Sequence, residues 1–119
     1  MSSNQDRKVL NLDFINQFSK DDKEFKKEII QEFVSRVPDN IHTMEKAIQE
    51  KNYSIIHRIA HDMKTTIHFM GLTVLIGHLL QKIEELASSN GAIVSIQQMF
   101  VDIKSVCMQA VQEAGHLVA

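Results

Sequence analysis

Apolar residues recur along most of this chain with the period of an α-helix rather than that of a β-strand. Before residue 50 they return at every third or fourth position, which places them in one stripe along a helix. The members of this stripe are Phe25, Ile29, Phe33, Val37, Ile41, Met44 and Ile48. Pro38 interrupts the run, but the spacing continues past it without a change of phase. The pattern predicts one long helix kinked at the proline, not two helices.

Signals of helix ends lie on both sides of this long helix. A short helix is predicted over about residues 12–18, and Ser19 after it is the predicted N-cap of the long helix, because acidic residues follow in what would be its first turn. A third helix is predicted from residue 52 or 53 to about residue 70. Gly71 supplies the break at its end.

Two more helices are predicted in the second half of the chain. They cover about residues 72–88 and 92–115, and the sequence "SSNG" forms a turn between them. Their apolar stripes are Leu75, Leu79, Ile83 and Leu86 in the fourth helix and Ile96, Phe100, Ile103, Val106, Cys107 and Val111 in the fifth. Four long amphipathic helices with short connections predict an all-α fold, an antiparallel up-down-up-down four-helix bundle with a short additional N-terminal helix.

The composition narrows the class of protein further. One proline and four glycines in 119 residues are too few for the many turns of a β-sandwich. The formal net charge of -2, with lysines mixed among acidic residues, argues against a nucleic-acid partner, and no apolar run is long enough for a membrane span. A single cysteine, Cys107, and the absence of a secretory segment lead us to expect a cytoplasmic protein. We expect a flexible leader at residues 1–8, a bundle domain at 9–119 and a monomer.

The third helix has a second face that is rich in histidine. On a wheel of about 100° per residue, its core arc contains Ile55, Ile56, Ile59, Met63, Thr66, Ile67 and Met70. The arc nearly opposite contains His57, His61, Lys64, Thr65 and His68. These imidazoles are therefore expected at the surface, where most histidines are simply solvated.

The sequence "AHDMKTTIHFMGL", residues 60–72, resembles the signature of histidine-containing phosphotransfer (HPt) domains. These domains are four-helix bundles that relay phosphoryl groups in multistep phosphorelays. The residues that match the family pattern are Ala60, His61, Met63, Lys64, Gly71 and Leu72. Where the family has glycine or another very small residue, four positions after the histidine, this chain has Thr65, which adds bulk one turn from the nucleophile.

The resemblance implies a role for each residue of the motif face. His61 would accept a phosphoryl group on Nε2 from a receiver-domain phospho-aspartate and pass it to another receiver, because a neutral imidazole is nucleophilic at cellular pH. Lys64, one turn away, would offset the charge of the phosphorylated state. Ala60 and Gly71 would have structural roles in the motif. The expected docking face contains His57, Thr65, His68 and Phe69.

A fourth-helix residue is expected to orient the imidazole by holding its other nitrogen. If the fourth helix runs antiparallel to the third and the chain reverses at Gly71, His61 lies ten residues before the reversal and Gln81 ten residues after it. The candidates are Gln81 and its neighbours His78, Lys82 and Glu85.

The implied partners are receiver domains of response regulators, hybrid sensor histidine kinases, or both. The chain has no Gly-rich nucleotide loop and no acidic cluster for Mg²⁺, so a phosphocarrier without kinase activity and without a cofactor of its own is expected. Mg²⁺ would belong to the receiver.

Two other readings compete with this one. His57 and His61 are spaced i, i+4, as in a zinc site on one helix, but the glutamate of an H-E-x-x-H motif is absent. We therefore expect no metal site. Alternatively, the bundle only binds partners, and His61 is never phosphorylated.

Overall fold

The computed structural model describes residues 8–118, and all regular elements in that range are helical. The helices are α1 (Asp13–Ser19), α2 (Lys23–Gln49), α3 (Tyr53–Phe69), α4 (His78–Ser88) and α5 (Ile93–Val118). A π-helical turn, Thr73–Gly77, leads directly into α4. The prediction of an all-helical fold is confirmed. Residues 1–7 of the predicted leader lie outside the described residues.

The four longer helices pack around one apolar core. α2 packs against α3 and α5, α4 packs against the same two helices, and α1 lies against α2. Side chains enclosed in the core include Phe33, Met44, Ile56, Met63, Ile67, Leu80, Ile83 and Ile96. Burial of a side chain of this size favours folding by about 1.5–3 kcal/mol. Within residues 8–118, no helix combines the length and the apolar character needed to cross a membrane.

The start of α2 differs from the prediction, whereas its continuity across Pro38 agrees with it. The helix is continuous across the proline. Ser19 is not the N-cap, because it is the last residue of α1, and Lys20 after it has a left-handed backbone with φ of 49°. The cap is Asp22, whose Oδ1 accepts a hydrogen bond of 3.0 Å from the backbone N–H of Phe25. The chain needs the residues between the two helices to change direction, so the cap lies three positions later.

The predicted ends of α3 are confirmed. Asn52 caps its start through a side-chain hydrogen bond to a backbone N–H of the first turn. At the other end Gly71 has φ of +73°, and the N–H of Leu72 donates to the carbonyl of Ile67 at 3.0 Å, which is the bond of a Schellman motif. A Cβ at position 71 would collide with the backbone oxygen of Asn11. Both the left-handed φ and this close approach require glycine.

The apolar stripe predicted for the fourth helix is only partly in the core. Ile83 is buried as expected, whereas Leu75 is 44% exposed and Leu79 and Leu86 are only partly buried. The buried residues are Ile76, Leu80, Ile83 and Ala87. The sequence has two adjacent apolar stripes here, and the π-helical turn before α4, which the 3.6-residue period cannot predict, fixes the rotation that puts the second stripe inside.

α5 carries the single cysteine of the chain and a carboxylate that binds the segment before α1. Cys107 is fully buried, and loss of hydration raises the pKa of its thiol to about 12. The backbone N–H groups of Val9 and Leu10 donate to the carboxylate of Glu113 at 3.0–3.2 Å. These hydrogen bonds fix the segment before α1 against α5.

Candidate functional site

The motif residues on α3 divide between the core and the surface. Ala60 and Met63 are fully buried, whereas the His61 side chain is 64% exposed and that of Lys64 is 31% exposed. The surface position expected for His61 from the helical wheel is confirmed. Because Ala60 packs into the core, the backbone that carries His61 is held close to its neighbouring helices.

Glu84 on α4 is the residue that joins His61 and Lys64. Its Oε2 lies 3.0 Å from Nδ1 of His61, and its Oε1 lies 2.6 Å from Nζ of Lys64. The Glu84 side chain is only 15% exposed. The hydrogen bond from Lys64 lowers the pKa of this carboxyl below its ordinary value, and the His61 contact lowers it further against the opposing effect of burial. Glu84 is therefore a carboxylate at neutral pH.

This carboxylate determines which imidazole nitrogen of His61 is free. An ionised carboxylate only accepts hydrogen bonds, so the nitrogen that faces it must carry the proton. Nδ1 of His61 therefore donates to Glu84 Oε2. In the neutral imidazole the lone pair then resides on Nε2, the ring nitrogen that does not face the carboxylate. The geometry yields a nucleophilic nitrogen on an exposed side chain.

Gln81, the predicted orienting residue, contacts Lys64 instead of the imidazole. Its Oε1 accepts a hydrogen bond of 2.7 Å from Lys64 Nζ, and its Nε2 donates to Glu85 at 3.0 Å. Gln81 thus positions the ammonium group, while Glu84 positions the imidazole. The other candidates, among them His78 and Lys82, form no described hydrogen bond with His61.

Sequence reasoning missed Glu84 because it centred the reversal of the chain on Gly71. The contacts of His61 with Glu84 and of Lys64 with Gln81 both centre on a point midway between residues 72 and 73. Moving the centre of the reversal from Gly71 to this point shifts the expected partner of His61 from Gln81 to Glu84, which is three residues or almost one turn of α4. Allowing for the residues of the turn after Gly71 would have brought Glu84 into range.

His57 lies on the other side of the same carboxylate oxygen. Its Nε2 is 3.6 Å from Glu84 Oε2, a distance too long for a hydrogen bond but within ion-pair range. The rings of His57 and His61 are nearly parallel, with 5° between their planes and 6.4 Å between their centroids. His57, predicted as a docking residue, is thus closely associated with the site itself.

The remaining predicted docking residues border an open aromatic groove next to the site. We define this aromatic groove by Phe18, Phe25, Phe69 and Thr65, which line a cavity of about 440 Å³. Phe18 contacts both Phe25 and Phe69, with centroid separations of 5.7 and 5.1 Å. His68 stands beside the groove, with its ring 4.5 Å from that of Phe14. Thr65 is one turn from His61, so the groove and the imidazole adjoin.

Within residues 8–118, no three or more His, Cys, Asp and Glu side chains are arranged to hold a metal ion, although His57 and His61 share one carboxylate. No model of a known protein family, no curated protein and no solved structure matches this chain.

Proposed function

We propose that this chain is a histidine phosphocarrier of the HPt type in a phosphorelay. His61 accepts a phosphoryl group on Nε2 from the phospho-aspartate of a receiver domain and passes it to another receiver. The observation that carries the proposal is the contact between His61 Nδ1 and the Glu84 carboxylate, because it leaves Nε2 of an exposed imidazole free to react.

The transfer step follows from this arrangement. The Nε2 lone pair of His61 attacks the phosphorus, the bond from phosphorus to the aspartyl oxygen breaks, and its electron pair remains on the receiver's carboxylate. Nδ1 keeps its proton, so the imidazole ring gains one positive charge. Glu84 lies 3.0 Å from that nitrogen and stabilises the charge. Onward transfer reverses these bond changes with a second aspartate as the acceptor.

Lys64 supplies the countercharge for the phosphoryl oxygens. Its ammonium group is bound to Glu84 and Gln81 and is still about one-third exposed. It lies one turn from His61 on the same face, so a rotation of its flexible side chain brings it to the phosphoryl group. The sequence contains no Gly-rich nucleotide loop, so the role proposed for the chain is that of a carrier rather than a kinase.

The proposed topology is an antiparallel up-down-up-down four-helix bundle with α1 as an additional N-terminal helix. Contacts between α3 and α4 support it, because later residues of one helix meet earlier residues of the other: Tyr53 bonds Gly91, whereas Lys64 bonds Gln81. The same order links α2 to α5: Glu45, late in α2, pairs with Lys104 at 2.9 Å, and the start of α2 lines a cleft together with Leu117 and Val118 at the end of α5. In such a bundle the His61 face is open along the side.

The proposed partners are receiver domains, alone or within hybrid sensor kinases, in the cytoplasm. The aromatic groove beside His61 offers the apolar contact area, and Thr65, His68 and Phe69 belong to the docking face. The receiver supplies Mg²⁺, and the chain acts as a monomer. A bundle that only binds partners would use the same surface without phosphorylation of His61.

The first experiment is transfer from a chemically phosphorylated receiver domain. We expect a gain of one phosphoryl group in the intact mass, labile in acid and stable in base. His61→Gln abolishes the gain without affecting the fold, because the side chain is exposed. His42→Gln, the same substitution at an exposed histidine of α2, is the matched control and retains it.

The phosphocarrier and the bundle that only binds partners predict different results in this experiment. Phosphorylation that persists in His61→Gln places the site elsewhere. No phosphorylation from several receivers that nevertheless bind the chain would replace the relay by the partner-binding bundle.

A further inference from the structure

One oxygen atom of Glu84 is approached by two imidazoles. His61 Nδ1 and His57 Nε2 lie 3.0 and 3.6 Å from Oε2, while Lys64 Nζ is 2.6 Å from Oε1. His57 precedes His61 by one turn of α3, and their rings are nearly parallel. A carboxylate oxygen has room for two donors. The His57 side chain is 42% exposed, so burial in the core does not fix its position.

Lys64 has two tasks that conflict in the proposed function. In the resting state it binds Glu84 and fixes the carboxylate that orients His61. To stabilise the phosphorylated state, its ammonium group must turn toward the phosphoryl oxygens. Glu84 then loses its strongest contact at the moment when the imidazole ring gains a positive charge and depends most on the carboxylate.

We propose that His57 is a positioning residue that holds the Glu84 carboxylate on Nδ1 of His61 when Lys64 turns to the phosphoryl group. Once Lys64 has left Oε1, the 3.6 Å contact between His57 Nε2 and Oε2 closes to hydrogen-bond distance with a small movement of either side chain, so the oxygen that faces Nδ1 stays in place. His57 acts through Glu84 and does not touch the phosphoryl group. This inference rests on the proposed function for its timing, but the positioning itself is a property of the unphosphorylated protein.

The test uses a variant that lacks the Lys64 ammonium group, which imitates the state in which Lys64 has turned away from Glu84. Lys64→Met leaves a side chain of similar length without charge, and the His61 tautomer is then read from the ¹⁵N shifts of its ring nitrogens at pH 8. We expect Nδ1–H to predominate in the wild type and in Lys64→Met. Addition of His57→Ala to Lys64→Met lowers the ratio of Nδ1–H to Nε2–H by about three- to tenfold, the range for loss of the one hydrogen bond that His57 is proposed to form with Glu84 when Lys64 is absent. His57→Gln, which restores an N–H donor, recovers part of that ratio.

Arg58→Ala in the Lys64→Met background is the matched control, since Arg58 is an exposed neighbour on α3 without a described contact to Glu84. It leaves the ratio unchanged. An unchanged ratio in His57→Ala/Lys64→Met, or an equal loss with Arg58→Ala, overturns the role of His57. Circular dichroism verifies that each variant is folded.

Kinetics separate this inference from the function on which it rests. With a phosphorylated receiver, His57→Ala alone lowers kcat about threefold or more and leaves KM unchanged, because the docking groove is intact. If the wild type accepts no phosphoryl group, the proposed function is wrong, while the tautomer ratios still decide whether His57 positions Glu84. If the wild type reacts and His57→Ala matches it in kcat, His57 has no part in the transfer.

Discussion

At the scale of single residues, the chemistry of the site depends on the charge of Glu84. The carboxylate makes Nδ1 of His61 the protonated nitrogen and binds Lys64 at the same time. The helical wheel could place His61 and Lys64 on the surface because both lie in one helix with a regular period. It could not identify Glu84, since that contact depends on how many residues the chain uses to reverse after Gly71.

The lowered pKa of Glu84 predicts a particular dependence of stability on pH. A carboxyl whose folded pKa lies below its ordinary value of 4.5 stabilises the fold above that pH, and this contribution is lost as the pH falls through the lowered pKa. Glu84→Gln should therefore unfold more easily than the wild type at pH 7, by about 1 kcal/mol. The difference should shrink toward pH 3. Urea unfolding at both pH values measures it.

Glu85→Gln is the control for this prediction, because Glu85 is the exposed neighbour whose carboxylate binds only Gln81 among the described hydrogen bonds. We expect a smaller effect from it at pH 7. A Glu84→Gln deficit that is the same at pH 3 and pH 7 would mean that the ionisation of Glu84 does not stabilise the fold.

At the scale of helices, local signals allowed some boundaries to be predicted and left others open. The ends of α3 are encoded by Asn52 and Gly71, each of which acts within one turn of its own position. The predicted start of α2 was wrong because Ser19 and Asp22 are both good N-caps, and the choice between them depends on the path of the preceding turn. The face of α4 that packs into the core was predicted only in part because two apolar stripes lie side by side on this helix. The π-helical turn before it determines which of them is buried.

The π-helical turn predicts opposite outcomes for two adjacent residues. Ile76 is 1% exposed and Leu75 is 44% exposed. Ile76→Ala should lower the free energy of unfolding by about 2–4 kcal/mol, since it leaves a cavity in the core. Leu75→Ala should cost less than about 1 kcal/mol. Thermal or urea unfolding of the pair checks this, and a larger loss for Leu75→Ala would favour the stripe expected from the sequence.

At the scale of the whole molecule, the periodicity of the sequence was sufficient for the class of fold and for most of the core. It predicted four long helices and the burial of Phe33, Met63 and Ile96, because amphipathic stripes indicate directly which residues are buried. The aromatic groove was not predictable in the same way. It combines α1, α2 and the end of α3, three segments whose meeting depends on packing, and the sequence predicted only Thr65 and Phe69 of it as docking residues.

The aromatic groove predicts a change in binding without a change in chemistry. Phe18 is 46% exposed and has no contact with the carboxylate site. Phe18→Ala should raise KM for a phosphorylated receiver about five- to tenfold, the effect of losing an aromatic anchor, with kcat nearly unchanged. Val101→Ala is the control, because Val101 is 65% exposed on α5 and lies outside the groove. Equal values of KM for the two variants would exclude the groove as the docking surface.

Chemical modification of the buried Cys107 measures how often the core around α5 opens. Thiol reagents attack the thiolate, and a fully enclosed group with a pKa of about 12 offers them almost none at neutral pH. Because it is the single cysteine of the chain, each modification event records one opening of the core around α5. The modification rate, followed with and without a phosphoryl group on α3, would report whether a charge added at one surface loosens or tightens the opposite helix.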